Sequence, residues 1–250
     1  MAELLSHSMY VNVIAFVKHC LIVVIFLAWT GSARSADEDA TIHIDHVMLG
    51  ASNLERAVSD FQKATGVRPV FGGKHPGGGT QNALVSLGRG TYLELIAPQP
   101  DAKPSQFSSD LVKLDRPTPI GWAVSATDAQ LLRRRLLANG FSVSDPKAGS
   151  RVTASGATRH WETFNLKDEF PGAPFLIIWD PQSPHPSPTS PRGCALDHWT
   201  VGVSNPELLA RLQKVLGLSF EISRSPREQF ILSLSCPKGK VVFGPTVQPQ

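Results

Sequence analysis

The chain has 250 residues, 42% of them hydrophobic and 18% charged, with a formal net charge of +3. That balance excludes a disordered chain, a coiled coil and a multi-span membrane protein. The basic residues form no long run, so nucleic acid is not an expected partner; Arg133, Arg134 and Arg135 read as the solvated face of a helix.

Residues 11–29 are apolar apart from Asn12, Lys18 and His19. The unbroken apolar part is too short for a bilayer core. It suits the apolar region of a signal peptide, with Lys18 as the preceding charge and small residues around Gly31, Ala33 and Ala36 for cleavage. Residues 1–36 are therefore expected to be a signal peptide and the mature chain to be secreted or periplasmic, with no membrane partner after cleavage. An uncleaved N-terminal anchor is the alternative. Beyond Cys20, two cysteines remain, Cys194 and Cys236, which an oxidising compartment would allow to pair.

From residue 41 onward one pattern recurs three times: a strand, a helix, then three strands. The helices open at Ser52, Thr127 and Ser204, each followed three residues later by Glu or Gln, and stop at Gly66, Gly140 and Gly217. Apolar stripes such as Leu54, Ala57, Val58 and Phe61, or Leu208, Leu209, Leu212 and Leu216, mark the faces that pack into a core. The expected fold class is α+β, with repeated βαβββ modules forming curved mixed sheets around a cup-shaped pocket. Residues 41–180 are read as two paired modules, 181–193 as a Pro/Ser-rich loop or linker, and 194–247 as a third module.

Five features carry chemistry. On the first strand, period two puts His46 on one face with Ile42, Ile44 and Met48. An Asp-His pair stands at the same distance before the helix in modules one and three, Asp45-His46 and Asp197-His198, whereas Gly121 takes that place in module two. Glu94 lies in the apolar run Tyr92-Leu93-Glu94-Leu95-Ile96, where burial is costly without a partner. The stretch 72–80 is glycine-rich and carries His75, but lacks the spacing of a phosphate-binding loop and reads as a mobile loop at the mouth of a pocket. His185 sits in the proline-rich stretch 180–192.

These residues resemble the glyoxalase-like domain group of the vicinal oxygen chelate (glyoxalase, bleomycin resistance and dioxygenase) superfamily. The resemblance rests on Asp45-His46-Val47, His75-Pro76-Gly77-Gly78-Gly79-Thr80 with Asn82-Ala83-Leu84, Tyr92-Leu93-Glu94-Leu95-Ile96, and Trp179-Asp180 with His185-Pro186-Ser187. It implies a divalent metal (Fe, Mn, Zn or Ni) in a cup of strands, acting on a small oxygenated molecule as a lyase, isomerase or dioxygenase. The metal-ligand places fall on His46 and Glu94, with His198, His185 or His75 to complete the set. Glu94 and His75 are the expected catalytic residues. In module two the matching places are Gly121 and Ile177, which cannot ligate. That departure favours the alternative, a metal-free protein that binds or sequesters a small molecule. A homodimer is the remaining partner expectation.

Overall fold

The computed structural model describes residues 41–168 and 170–245. The expected signal peptide lies outside the described residues. Among the described residues no helix is long and apolar enough to cross a membrane.

Module one runs β1 (Ile42–Gly50), α1 (Leu54–Thr65), β2 (Val70–His75), β3 (Thr80–Gly88) and β4 (Thr91–Pro98). A short helix, α2 (Gln106–Leu111), leads into module two: β5 (Thr118–Ala126), α3 (Ala129–Ala138), β6 (Lys147–Val152), β7 (Thr158–Phe164) and β8 (Phe175–Trp179). A single turn, α4 (Pro186–Thr189), then precedes module three: β9 (Ala195–Val203), α5 (Glu207–Leu216), β10 (Glu221–Arg224), β11 (Gln229–Cys236) and β12 (Gly239–Phe243).

Modules one and two close into one eight-stranded barrel in the order β1-β4-β3-β2-β6-β7-β8-β5. Module three makes its own four-stranded sheet, β10-β9-β11-β12. This is the α+β class with curved mixed sheets expected from the sequence. In an eight-stranded closed sheet the inward side chains either fill the interior or leave room for one small ligand.

The helices cover the outer face. Leu54, Ala57, Val58 and Phe61 of α1 are buried against the sheet, as are Leu209, Leu212 and Leu216 of α5. Module three packs on the barrel through aromatic rings: Trp122 of β5 lies 4.8 Å from Phe220 and 6.4 Å from Trp199, and Phe61 stacks on Phe243 at 5.6 Å.

Local details differ from the sequence reading. The caps stand one residue later than the spacing predicts: Asn53 accepts from the N–H of Arg56, and Asp128 from that of Leu131. In module three Asn205 accepts from the Glu207 N–H, and Pro206 stands at the N-cap of α5. Glycines 66 and 217 do end their helices in the left-handed conformation. After α3 the chain makes one isolated bridge, Val143 to Leu166, and the next strand begins only at β6. The glycine-rich stretch is not a free loop. Gly72 to His75 form the second half of β2, paired with β3, and only 76–79 make the turn.

The candidate active site

The floor of the cup begins at a bulge in β1. Its register against β5 slips between Ile44 and His46. Such a slip lets neighbouring side chains meet, and here Asp45 and His46 do: Nδ1 of His46 lies 2.6 Å from Asp45 Oδ1. Asp45 is fully buried. Its other oxygen accepts from Trp179 Nε1 at 3.1 Å and from His185 Nε2 at 3.1 Å. The backbone N–H of Ser187 donates to Nδ1 of His185, which leaves the proton on Nε2 to bond Asp45. Burial alone would raise the Asp45 carboxyl. The hydrogen bonds from His185 and His46 outweigh burial and hold it well below the usual carboxylate range.

Asp45 therefore fixes the orientation of His46, with Nδ1–H toward the carboxylate and Nε2 toward the cup. The ring stacks on Tyr92 at 4.7 Å. Burial and the two carboxylates Asp45 and Glu94 push the Tyr92 phenol up, so it stays protonated. Across the cup floor Glu94 Oε2 stands 3.5 Å from His46 Nε2.

The rest of the Glu94 environment comes from β3. Asn82 Nδ2 donates to Glu94 Oε1 at 2.5 Å and lies 3.4 Å from His75 Nε2, while its carbonyl accepts from Arg151 Nη1 at 3.3 Å. His75 Nδ1 meets Thr80 Oγ1 at 2.9 Å. Burial lowers the His75 pKa further than Glu94 raises it, so the ring is held neutral. The cavity above this floor measures about 730 Å3. Its far wall is aromatic and apolar: Trp161, Phe175, Ile177 and Trp179. Gly149 of β6 seats the Trp161 ring. A Cβ at that glycine would stand 2.3 Å from the indole nitrogen.

The expected site residues thus separate. His46, Glu94 and His75 meet in the cup. His185 does not enter it; it turns behind the floor and bonds Asp45. His198 is elsewhere altogether. It lies on β9 of the separate third sheet, outside the lining of the cup, half exposed and paired with Glu221 at 2.6 Å. Sharing an offset from a helix with His46 does not put the two histidines on one site.

The resemblance implies a metal, and the donors can be tested against it. Two point into one space, His46 Nε2 and Glu94 Oε2. His75 Nε2 is 3.9 Å from Glu94 Oε1, with the Asn82 amide engaging both. Module two offers only Ile177 and Gly121, and the Met48 methyl fills the space beside that glycine, 3.0 Å from where a Cβ would stand. Among the described residues no three His, Cys, Asp or Glu side chains form a group able to hold a metal ion. The donor set therefore does not fit a three- or four-ligand centre.

Sequence reasoning gave Asn82 no role beyond its place in the quoted motif and missed Trp161 and Arg151. Asn82 alternates with Thr80 on a strand that pairs with the Glu94 strand, a signal that was there to be read. Arg151 lies on β6, where the polar run Lys147–Val152 lacks the alternation of a buried strand.

Asp45 sets an acid limit on stability. Its pKa is lower in the folded chain than the unfolded value of about 3.9, so its contribution is complete above that value and is lost as pH falls below it. Asp45→Asn, which leaves buried donors poorly matched, is expected to cost about 3 kcal/mol at pH 7. In urea titrations the gap from the unaltered protein narrows from about pH 4 downward. A gap that stays constant to pH 3 would refute this role for the Asp45 charge.

Comparison with known proteins agrees with this architecture. The sequence profile of the glyoxalase-like domain matches residues 44–216. No protein of curated function matches the chain. Among solved structures, a hypothetical protein from Staphylococcus aureus is similar over 81% of this chain and 85% of its own, at 14% identity and a TM-score of 0.54. A methylmalonyl-CoA epimerase from Mycobacterium tuberculosis is 20% identical over 56% of this chain and 89% of its own, with a TM-score of 0.43. A hypothetical protein from Bacillus halodurans is 12% identical over 57% of this chain and 98% of its own, with a TM-score of 0.42. The profile match covers more than half of the sequence, and the chain belongs to the glyoxalase-like domain family.

Proposed function

We propose that the chain is an enzyme that moves a proton on a small oxygenated molecule held in the cup, at a carbon next to a carbonyl group. The observation that carries this reading is the buried His46–Glu94 pair, facing across 3.5 Å with Asp45 behind the imidazole. In the forward step a C–H bond of the substrate breaks. The proton goes to His46 Nε2 and the electron pair moves onto the carbonyl oxygen. Asp45 and Glu94, one on each side of the ring, stabilise the imidazolium that forms. Return of the proton to another face or atom gives isomerisation; departure of a leaving group gives a lyase reaction. The aromatic wall keeps water from the reacting carbon. A dioxygenase would need a redox metal, and among the described residues no three such side chains in the cup form a group able to hold one.

The wall of Trp161, Phe175 and Trp179 also supports the second reading, a protein that only binds and sequesters its ligand. One experiment separates the two. The protein is incubated in D2O with a panel of ketones, aldehydes and oxo acids, with and without EDTA, and followed by proton NMR. Deuterium incorporation that depends on the protein and is indifferent to EDTA is the expected result. Compounds that raise the melting temperature without exchanging would make it a binding protein. Exchange abolished by EDTA and restored by Mn or Zn would return the metal to the mechanism.

We also propose that the mature chain is exported. The Cys194–Cys236 disulfide supports this, because such bonds persist in oxidising compartments.

A further inference from the structure

Arg151 is the strongest unexplained group in the molecule. It is 3% exposed, yet it lines the cup. Among the described residues its side chain makes one hydrogen bond, from Nη1 to the Asn82 carbonyl at 3.3 Å, and its Nε finds no partner. Among the described residues no carboxylate lies within 4 Å of it, although the charge of Glu94 acts on it from further away. A buried guanidinium without an anion against it is costly, and a protein retains one only where something compensates it. The backbone is shaped to admit it. Gly73 of β2 has φ +147°, and a Cβ there would stand 2.6 Å from Arg151 Cγ and 2.3 Å from the Val152 carbonyl.

We propose that Arg151 is the substrate anchor, and that the substrate is a carboxylate on an apolar or aromatic body. A carboxylate matches the guanidinium in charge and shape. One unpaired cation, with Glu94 close by, suits one negative charge better than the two of a phosphate monoester. The apolar body follows from the opposite wall, where Trp161 is seated on Gly149 and stands 5.3 Å from Trp179. This assignment rests on the cup being the working site and adds to it which molecules enter.

The test is calorimetric titration with three probes that share a phenyl ring: 3-phenylpropanoate, its methyl ester and phenyl phosphate. The acid is expected to bind at least about tenfold tighter than the ester, as one charge-assisted contact gives, and tighter than phenyl phosphate. In Arg151→Met the preference for acid over ester falls to within about threefold, while the melting temperature holds or rises because a buried unpaired charge has gone. If that variant does not fold, Arg151→Gln gives the same reading. Equal binding of acid and ester by the unaltered protein, an unchanged preference in the variant, or tighter binding of phenyl phosphate would each overturn the assignment. Failure of the proton-transfer reading looks different: acid preference intact, with no deuterium exchange in any bound compound.

Discussion

Glu94→Gln is expected to lower the rate of deuterium exchange by about a thousandfold, within the range lost when a positioned acid or base is removed. The substitution keeps the shape of the side chain. Asn82 Nδ2 donates to Oε1, so the new amide must keep its oxygen on that side and turn its NH2 toward His46. There it donates to Nε2, 3.5 Å away in the parent pair, and ties up the lone pair that takes the proton. The variant should therefore fold as well as the parent and bind ligands as tightly, with the loss confined to kcat. His46→Asn should lose a similar factor, and the double variant little more, because the pair works as one unit. A loss below about fivefold in Glu94→Gln, with binding intact, would remove the pair from the reaction. Measuring the melting temperature alongside guards against unfolding as the cause.

How far the site was legible depends on where its parts lie in the chain. Glu94 stands out as the one charged residue in an apolar run and His46 as the polar member of a strand face with Ile42, Ile44 and Met48, and period two aims both at one interior. Their pairing follows from β1 lying parallel to β4, with His46 level with Tyr92 and Met48 level with Glu94. The glycine-capped helices were legible for the same local reason. What is set by distant contacts was not. The Asp45 carboxylate draws in Trp179 and His185 from far along the chain, and no spacing rule announces that a proline-rich stretch will end behind strand one. Arg151 meets Asn82 only because β2 and β6 join the two modules, a seam held by one register pair, Lys74 to Val152. His198 misled because repetition fixes a residue's place within a module and leaves open which modules share a barrel.

The third module bears on stability more than on the cup, and its disulfide makes the size of that effect predictable. Cys194 precedes β9 and Cys236 ends β11, and the bond closes a loop of sequence separation 42. Loop-closure entropy puts the stabilisation of such a bond at about 4 kcal/mol. Replacing both cysteines with alanine is accordingly expected to lower the unfolding free energy by about 2–4 kcal/mol in urea, with the slope increased as the unfolded chain expands. The effect should not be confined to module three. Trp199 and Phe220 pack on Trp122, which is buried in the barrel and donates its Nε1 proton to the Gly172 carbonyl. Loosening the third sheet uncovers that face of β5, so tryptophan fluorescence and far-ultraviolet circular dichroism should report one shared transition. Two separate transitions would show that module three unfolds on its own, and a loss under about 0.5 kcal/mol would show that the bond adds little to a sheet already held by its rings. Neither result would touch the His46–Glu94 pair. Its strands, β1 and β4, belong to module one and the cup to the barrel, so at temperatures where the variant remains folded, ligand binding in the cup should match that of the parent.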